Sequence, residues 1–180
     1  MSSGRSEIAE IEVQNQQGYA ISYGYDYSIY EENFACDSLL YWSKIAGIRN
    51  YPSGVVQSCP NPDQIVWLDD DVIVVNPNIK TDEFIQGHMS KDSSLSFPNI
   101  LETEDIGGPS PVNTGVLILR NCEANRMFFE KLWDMRHNPS SSVPAYSYSS
   151  CPNQIFSHEQ EVMQELLKKA DPSAYGVYRS

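Results

Sequence analysis

The sequence predicts an α/β protein, in which strands and helices alternate along the chain. Two apolar runs rich in β-branched residues, Ile65 to Leu68 and Val72 to Val75, are typical of strands. A third strand is predicted over residues 112–121, "VNTGVLILRN". Segments with apolar side chains at helical spacing separate and follow these runs, which completes the alternation.

Composition bounds the size of the molecule and its partners. With 180 residues, of which 41% are hydrophobic, the chain is long enough for a packed core and too apolar for disorder. We predict a single domain over residues 1–180. The net charge of −12 argues against nucleic acid or an anionic membrane as a partner, because both require basic surfaces.

The first half of the chain is predicted to contain three helices. A polar helix covers about residues 5–20 and ends at Gly18, and a turn and a strand follow within residues 18–30. Residues 37–54 carry apolar side chains at mostly helical spacing up to a proline and a glycine. Residues 81–88 are predicted to form a short helix.

Two long stretches of the second half, residues 89–111 and 138–156, are rich in serine and proline and are predicted to be loops. After the third strand, Asn121 is predicted to cap a helix with one apolar stripe. This stripe consists of Phe128, Phe129, Leu132 and Met135. The last helix opens where Ser157 and Gln160 have capping-box spacing.

The cysteines and the N-terminus leave the cellular compartment open. The four cysteines lie far apart, and no pair has the two-residue spacing of a zinc or redox motif. They are Cys36, Cys59, Cys122 and Cys151. Disulfides in a secretory compartment and free thiols in the cytosol are both compatible with this spacing. The polar N-terminus is unlike a signal peptide, and no apolar run approaches membrane length.

Three consecutive aspartates, Asp69, Asp70 and Asp71, follow the first apolar run. On an extended segment, Asp69 and Asp71 point the same way and Asp70 points elsewhere. Two carboxylates at a strand end can converge on one hard cation, whose shell the diphosphate oxygens of a ligand would complete. We therefore predict a divalent-cation site at Asp69 and Asp71.

Two other interpretations of the aspartates remain open. The first is a solvated acidic turn that serves only solubility, although long apolar flanks place the cluster at a sheet edge rather than in a linker. The second is the magnesium site of a phosphatase or phosphotransferase. Such sites commonly add a nearby lysine, threonine or serine, and "DDDVIVVNP" contains none.

Four segments occur in the order and rough spacing of one enzyme family. They are "YWSKIAGIRNY", "DQIVWLDDDVIVVNPNI", "VNTGVLILRNCEANRMFFEKLWD" and "HEQEVMQELL". Over about residues 10–170, the chain resembles the retaining galactosyl/xylosyl/mannosyl transferases. These include plant xyloglucan xylosyltransferases, galactomannan galactosyltransferases and yeast Golgi mannan enzymes. "NQQGYAISYGYDY" also resembles a segment of that family.

The resemblance implies a GT-A-type, Rossmann-like α/β fold. It also implies that the Asp-x-Asp motif binds Mn²⁺ or Mg²⁺, which holds the diphosphate of a UDP- or GDP-sugar, with a UDP-sugar favoured. Asp69 would face the ribose and the metal shell, Asp71 would ligate the metal, and Asp70 belongs to the same donor-binding motif. A glycan would be the acceptor.

Further donor-site residues follow from the resemblance. Asn113, Thr114 and Gly115 match an Asn-x-Gly block that lines the sugar site, where the glycine leaves room for the ligand. Lys44 matches a Trp-Ser-Lys block and would reach a phosphate. From the residues alone, Asn113 could instead be a turn residue that opens a strand, although the Thr-Gly that follows argues against this, and Lys44 could be an exposed helical lysine.

Glu159 and Gln160 match an acidic-Gln pair beside the reacting sugar, which makes them the predicted catalytic residues. The implied reaction is metal-assisted transfer with retention, by front-face attack of the acceptor hydroxyl while Gln160 steadies the oxocarbenium-like centre. Gln160 could instead serve only to cap its helix.

The chain departs from the family at both ends. Members usually begin with a strand of the uridine pocket and end with a histidine block that supplies a third metal ligand. We find neither here, so the resemblance predicts a fold truncated at both ends, with weak Mn²⁺-dependent nucleotide binding and little transfer. A non-catalytic homologue that binds nucleotide-sugar or a partner enzyme is the alternative. The Golgi lumen is favoured by the family, the cytoplasm stays open, and so does oligomerisation.

Overall fold

The computed structural model describes residues 7–30, 40–50, 63–89, 100–103, 112–137, 143, 146–148, 151–169 and 177–179. Over these residues the protein mixes helices and strands. The helices are α1 (Glu7–Tyr23), α2 (Leu40–Asn50), α3 (Thr81–Met89), α4 (Glu123–Asp134) and α5 (Glu159–Lys169). The strands are β1 (Gln64–Leu68), β2 (Ile100–Thr103), β3 (Asn113–Arg120), β4 (Tyr146–Tyr148), β5 (Cys151–Phe156) and β6 (Val177–Arg179).

Four strands form a mixed sheet in the order β1-β3-β2-β6, and β4 pairs with β5 separately. Strand β3 is antiparallel to both β1 and β2, whereas β6 is parallel to β2. Leu68 at the end of β1 lies opposite Val116, and the next amide, of Asp69, donates to the carbonyl of Gly115 at 2.9 Å. The end of β1 and the start of β3 therefore lie side by side.

Helices α2, α4 and α5 contact one another and form the core together with β2 and β3. Leu117 and Leu119 alternate along β3 and both face this core, as the two-residue period of a strand requires. The predicted stripe of α4 is confirmed for Phe128, Phe129 and Leu132, which are buried. Met135 follows the helix and packs partly buried against the same core.

Trp42 joins α2 to the beginning of α5. Its side chain is fully buried, and its Nε1 donates to the carbonyl of Ser157 at 2.8 Å. We expect Trp42→Phe to lower the free energy of unfolding by about 2 kcal/mol, because it removes a buried donor and leaves space beside a smaller ring. Urea unfolding measures this, with Tyr41→Phe at the exposed neighbouring position as the control. Equal stability of the two variants would contradict the assignment.

The prediction of a strand over Val72 to Val75 is wrong. The backbone of this run is bonded by side chains of α1 rather than by a neighbouring strand. The amide of Val74 donates to Asn15 Oδ1 at 2.7 Å, and Gln16 Nε2 donates to the carbonyl of Val72 at 2.8 Å. Since buried backbone groups need partners, polar side chains here replace the ladder that would make the run a strand.

Helix α1 runs beyond its predicted end at Gly18, and residues 25–30 form no strand. The helix ends instead at Gly24, whose φ of 70° lies in the left-handed region that glycine adopts without strain. The predicted helix end at Gly18 is therefore wrong, and the helix ends at Gly24. For the helix predicted over residues 37–54, the described part is α2, and its predicted stop at a proline and a glycine lies outside the described residues.

Strands also occur in the stretches that were predicted to be loops. Strand β2 lies within residues 89–111, and both β4 and β5 lie within residues 138–156. The predicted short helix at residues 81–88 is confirmed by α3.

Each of the two predicted N-cap residues lies one residue before the N-cap position in the structure. Helix α4 has Cys122 rather than Asn121 at its N-cap, and the Cys122 side chain makes no capping bond. Helix α5 begins at Glu159, so the residue before it is His158, whose carbonyl accepts from the amide of Val162 at 3.2 Å. Ser157 therefore precedes the cap position instead of occupying it.

Among the helices described, none is both long and apolar enough to cross a membrane. The thiol of Cys122 is free. Cys36 and Cys59 lie outside the described residues, and so does the side chain of Cys151.

Candidate functional site

A cleft of about 290 Å³ lies where the end of β1 and the start of β3 meet α2 and the start of α5. Eight of the nine residues predicted for the site line it. They are Lys44, Asp69, Asp71, Asn113, Thr114, Gly115, Glu159 and Gln160. Asp70, the ninth, is exposed and does not line the cleft. The site roles of all nine remain predictions.

Lys44 lies at the centre of the cleft's polar wall. Its side chain is only 8% exposed, and its Nζ donates to Asp69 Oδ2 at 2.7 Å. The same nitrogen lies 3.4 Å from Glu159 Oε1 and 3.2 Å from both oxygens of Thr114, the carbonyl and the hydroxyl. An exposed helical lysine, the alternative that the sequence left open, is therefore excluded. A buried ammonium needs such partners because desolvation of an unpaired charge is costly.

Thr114 connects β3 to the first turn of α5. Its hydroxyl donates to Glu159 Oε1 at 2.9 Å, and Gln160 Oε1 lies 3.4 Å from the Thr114 amide nitrogen. Glu159 is nearly buried, at 5% side-chain exposure, so its carboxylate depends on Thr114 and Lys44 for compensation. Both residues of the predicted catalytic pair thus face the strand that carries the Asn-Thr-Gly block.

Asp69 is held at both carboxylate oxygens. Opposite the Lys44 contact, its Oδ1 accepts from Trp67 Nε1 at 2.7 Å. Its carbonyl accepts from Gln16 Nε2 at 3.1 Å. With 28% side-chain exposure, the Asp69 carboxylate still reaches the cleft, but its orientation is fixed by the protein.

Asn113 and Gly115 shape the neighbouring wall. The Asn113 side-chain carbonyl accepts from the amide of Gly115 at 2.8 Å. A Cβ added to Gly115 would lie 3.0 Å from Asn113 Oδ1 and 3.7 Å from Asp69 Oδ2. The absent side chain at Gly115 therefore leaves space directly beside the carboxylate of Asp69.

The acidic residues of the cleft are better suited to a cation that a bound ligand also coordinates than to a cation that the protein coordinates alone. Asp71 is exposed and lines the cleft, so its carboxylate is accessible, whereas Asp69 already has Lys44 and Trp67 as partners. In the part of the chain that the structure describes, no group of three or more His, Cys, Asp or Glu side chains is arranged to hold a metal. A hard cation with about six oxygen ligands would need most of them from ligand and water.

The charge of the cleft sets what it can bind. Its lining contains three carboxylates, those of Asp69, Asp71 and Glu159, and one ammonium, that of Lys44. An anionic ligand would be repelled by this excess of negative charge unless a cation accompanied it.

Besides Val72 and Val116, which line the cleft, three aromatic or amide residues contribute to the site and were not predicted from the sequence. Tyr41 lines the cleft, is 47% exposed and packs against His158, with ring centroids 4.8 Å apart. Asn15 and Gln16 of α1 bond the backbone beside Asp71. The segment "NQQGYAISYGYDY" includes both Asn15 and Gln16, but the resemblance assigned neither of them a role, and amide runs such as "QNQQ" usually face solvent.

A second cavity, of about 250 Å³, lies at the opposite end of β1 and β3. Arg49, Arg120 and Phe129 are among its lining residues, and none of the predicted site residues is. The cleft at Lys44 is therefore the candidate site.

Comparison with known proteins gives a likeness of fold. No protein-family model and no curated protein sequence matches the chain. Among solved structures, the chain is similar to the crystal structure of a glycosyltransferase involved in the glycosylation of the major capsid of PBCV-1. The two are 19% identical with a TM-score of 0.60, and the match covers 96% of this chain and 76% of that chain. The protein therefore shares its fold with a known glycosyltransferase.

Proposed function

We propose that the protein is a glycosyltransferase that moves a hexose or pentose from a nucleotide-diphosphate sugar to a glycan or glycoconjugate acceptor. One observation carries the proposal. Four segments distant in sequence bring Lys44, Asp69, Thr114 and Glu159 into one bonded cluster at the wall of a cleft. The similarity of fold to a glycosyltransferase supports the same conclusion.

The donor's diphosphate would lie at the acidic end of the cleft. Because the lining carboxylates outnumber the single lysine, a bound diphosphate needs a divalent cation, Mn²⁺ or Mg²⁺, beside the accessible Asp71. When bound, the cation supplies Lewis-acid stabilisation of the charge on the leaving diphosphate. Asp69, already neutralised by Lys44, would bind the ribose and orient the shell around the cation.

The sugar would occupy the wall formed by Asn113, Gly115 and Gln160. The Gln160 amide would lie beside the anomeric carbon and stabilise positive charge there, as a fixed dipole does without reorganisation. Glu159 is engaged by Lys44 and Thr114, so it would hold this wall in place rather than attack the sugar. Retention would then follow from front-face attack by the acceptor hydroxyl.

The alternative function is nucleotide-sugar binding without transfer. It is favoured by the small number of protein ligands for a cation among the described residues. A cation held mainly by ligand and solvent is loosely placed, and a shift of about 1 Å can cost roughly 10²-fold in rate.

The two functions are separated by binding and turnover measured on one preparation. Titration calorimetry with UDP and with GDP, each in the presence and absence of Mn²⁺, tests the donor site. Release of UDP from a panel of UDP-sugars, with and without oligosaccharide acceptors, tests transfer. Tight Mn²⁺-dependent binding with no release favours the alternative, and no UDP or GDP binding under either condition removes both.

Asp71→Asn is expected to abolish the gain in UDP affinity that Mn²⁺ gives, because an amide binds a hard cation far more weakly than a carboxylate. Binding without Mn²⁺ should not weaken, because the variant removes one negative charge from the cleft lining. Asp70→Asn provides a matched control, since it removes the same charge from the adjacent exposed residue that does not line the cleft. If both variants respond to Mn²⁺ alike, the assignment of Asp71 fails.

A further inference from the structure

Helix α1 faces the rest of the protein mainly with polar residues. Its positions Glu12, Gln16 and Ala20, spaced by four, are all less than 9% exposed. Ile8 and Ile11 are instead more than 60% exposed. This reverses the usual amphipathic pattern, in which apolar side chains face the core. Buried polar side chains are normally hydrogen-bonded, so the partners of this face indicate its purpose.

Gln16 on this face and its neighbour Asn15 bond backbone groups of one short segment, residues 69–75, which we call the acidic segment. Gln16 Nε2 donates to the carbonyls of Asp69 and Val72 at 3.1 and 2.8 Å. Asn15 bonds Val74 twice: its Oδ1 accepts from the amide at 2.7 Å, and its Nδ2 donates to the carbonyl at 3.2 Å. The contact with Val74 copies the two bonds that a residue exchanges with its partner across an antiparallel ladder.

These four bonds bracket the turn that contains Asp70 and Asp71. The turn is closed by the Val72 amide, which donates to the Asp69 carbonyl at 3.2 Å. No strand includes residues 70–75, within the part of the chain described. The next two helical turns of α1 continue the same contacts, since Tyr19 Oη donates to the Ile79 carbonyl at 2.9 Å and Tyr23 Oη to the Pro77 carbonyl at 2.7 Å.

We infer that Asn15 and Gln16 are positioning residues, which set where the Asp71 carboxylate stands in the cleft and thereby govern cation-dependent nucleotide binding. The inference rests on the proposed function. Neither side chain lines the cleft, so both act through the backbone of the acidic segment. Gln16 is itself oriented, because its Oε1 accepts from Tyr27 Oη at 3.3 Å.

Three variants test the inference against one matched control. Gln16→Ala removes both donations, Asn15→Ala removes both bonds to Val74, and Asn15→Asp keeps the acceptor for the Val74 amide while losing the donor. Gln17→Ala is the control, since Gln17 is an exposed amide residue one position along the same helix. The mild Asn15→Asp change keeps the test informative even if an alanine variant folds poorly.

Two measurements are made on each variant of the full chain. Amide hydrogen exchange at residues 72–74 reports the segment directly and needs no ligand. Titration with UDP, with and without Mn²⁺, reports the site. We expect faster exchange at Val74 in Asn15→Ala, and a Mn²⁺-dependent UDP affinity about fivefold to tenfold weaker in both alanine variants, as the loss of one or two hydrogen bonds implies. Affinity without Mn²⁺ should stay within about twofold, Asn15→Asp should be intermediate, and Gln17→Ala should match the unaltered protein.

The outcomes separate this inference from the function on which it rests. If the unaltered protein binds UDP no better with Mn²⁺, the proposed cation site fails and the inference fails with it. If Mn²⁺ strengthens UDP binding equally in the unaltered protein and in both alanine variants, the cation site stands and the positioning role is wrong. Equal losses with and without Mn²⁺ would also overturn it, because they would indicate a general loss of structure.

Discussion

Replacing Lys44 with methionine is expected to lower the free energy of unfolding by about 3 kcal/mol and to abolish binding of a nucleotide sugar. The ammonium lies between the carboxylates of Asp69 and Glu159, the second of which is almost fully buried. Removing one partner of a buried ion pair leaves the other charge uncompensated, which costs about 3–5 kcal/mol in buried examples. We take the lower end because Asp69 is partly solvated.

Urea unfolding and UDP titration measure the two effects. Lys131→Met is the control, since Lys131 is exposed on α4, away from the cleft. Its loss should change stability by about 0.5 kcal/mol or less. A Lys44→Met protein as stable as the control would show that the cluster around Lys44 contributes nothing to the fold, and the proposed arrangement of the donor site would lose its support.

Replacing Gly115 with leucine is expected to weaken donor binding by about tenfold to a hundredfold while leaving the fold intact. The first added carbon would already contact Asn113 Oδ1 and approach Asp69 Oδ2, so the rest of the side chain must extend into the cleft. Filling space that a ligand needs costs about 1–3 kcal/mol. The free energy of unfolding should fall by about 1–2 kcal/mol, because Asn113 Oδ1 must shift to relieve the 3.0 Å contact while the rest of the side chain occupies the open cleft.

Calorimetry with UDP and with a UDP-sugar, each with Mn²⁺, separates the nucleotide from the sugar part of this effect. Gly18→Leu is the matched control, because no atom lies within 4 Å of a Cβ added there. Normal donor affinity in Gly115→Leu would mean that this glycine serves only the pairing of β3 with the end of β1.

The elements that the sequence predicted correctly are those whose side chains meet the core. Leu117 and Leu119 lie two residues apart along β3, and Phe128, Phe129 and Leu132 lie at helical spacing along α4, because these side chains all pack into the core. The run Val72 to Val75 has strand composition, yet its backbone is bonded by helix side chains. Residue composition indicates which segments are suited to be strands. A strand also needs a neighbouring strand with which to form hydrogen bonds, and local residues do not show whether one is present.

The candidate site was predicted as a set of residues, not as an arrangement. Spacing and resemblance selected eight of the cleft's lining residues. They did not predict that Lys44 is buried, because its partners lie far away along the chain and only folding brings them together. Asp70 was grouped with its neighbours by sequence, although the turn directs it out of the cleft lining. Gln16 was missed because an amide in a polar helix is most often solvated.

The cluster around Lys44 also determines when, during folding, the protein becomes able to bind a ligand in the cleft. Its members come from α2, the end of β1, β3 and α5, so each contact closes a long loop in the chain. Closing long loops costs chain entropy before the contacts compensate for it, and a chain that has not yet folded would hold the same acidic and basic groups dispersed in water. A ligand that spans the cleft therefore has nothing to bind until folding is complete. Its binding energy would add in full to the stability of the native state, by about 2.7 kcal/mol at a concentration one hundred times the Kd.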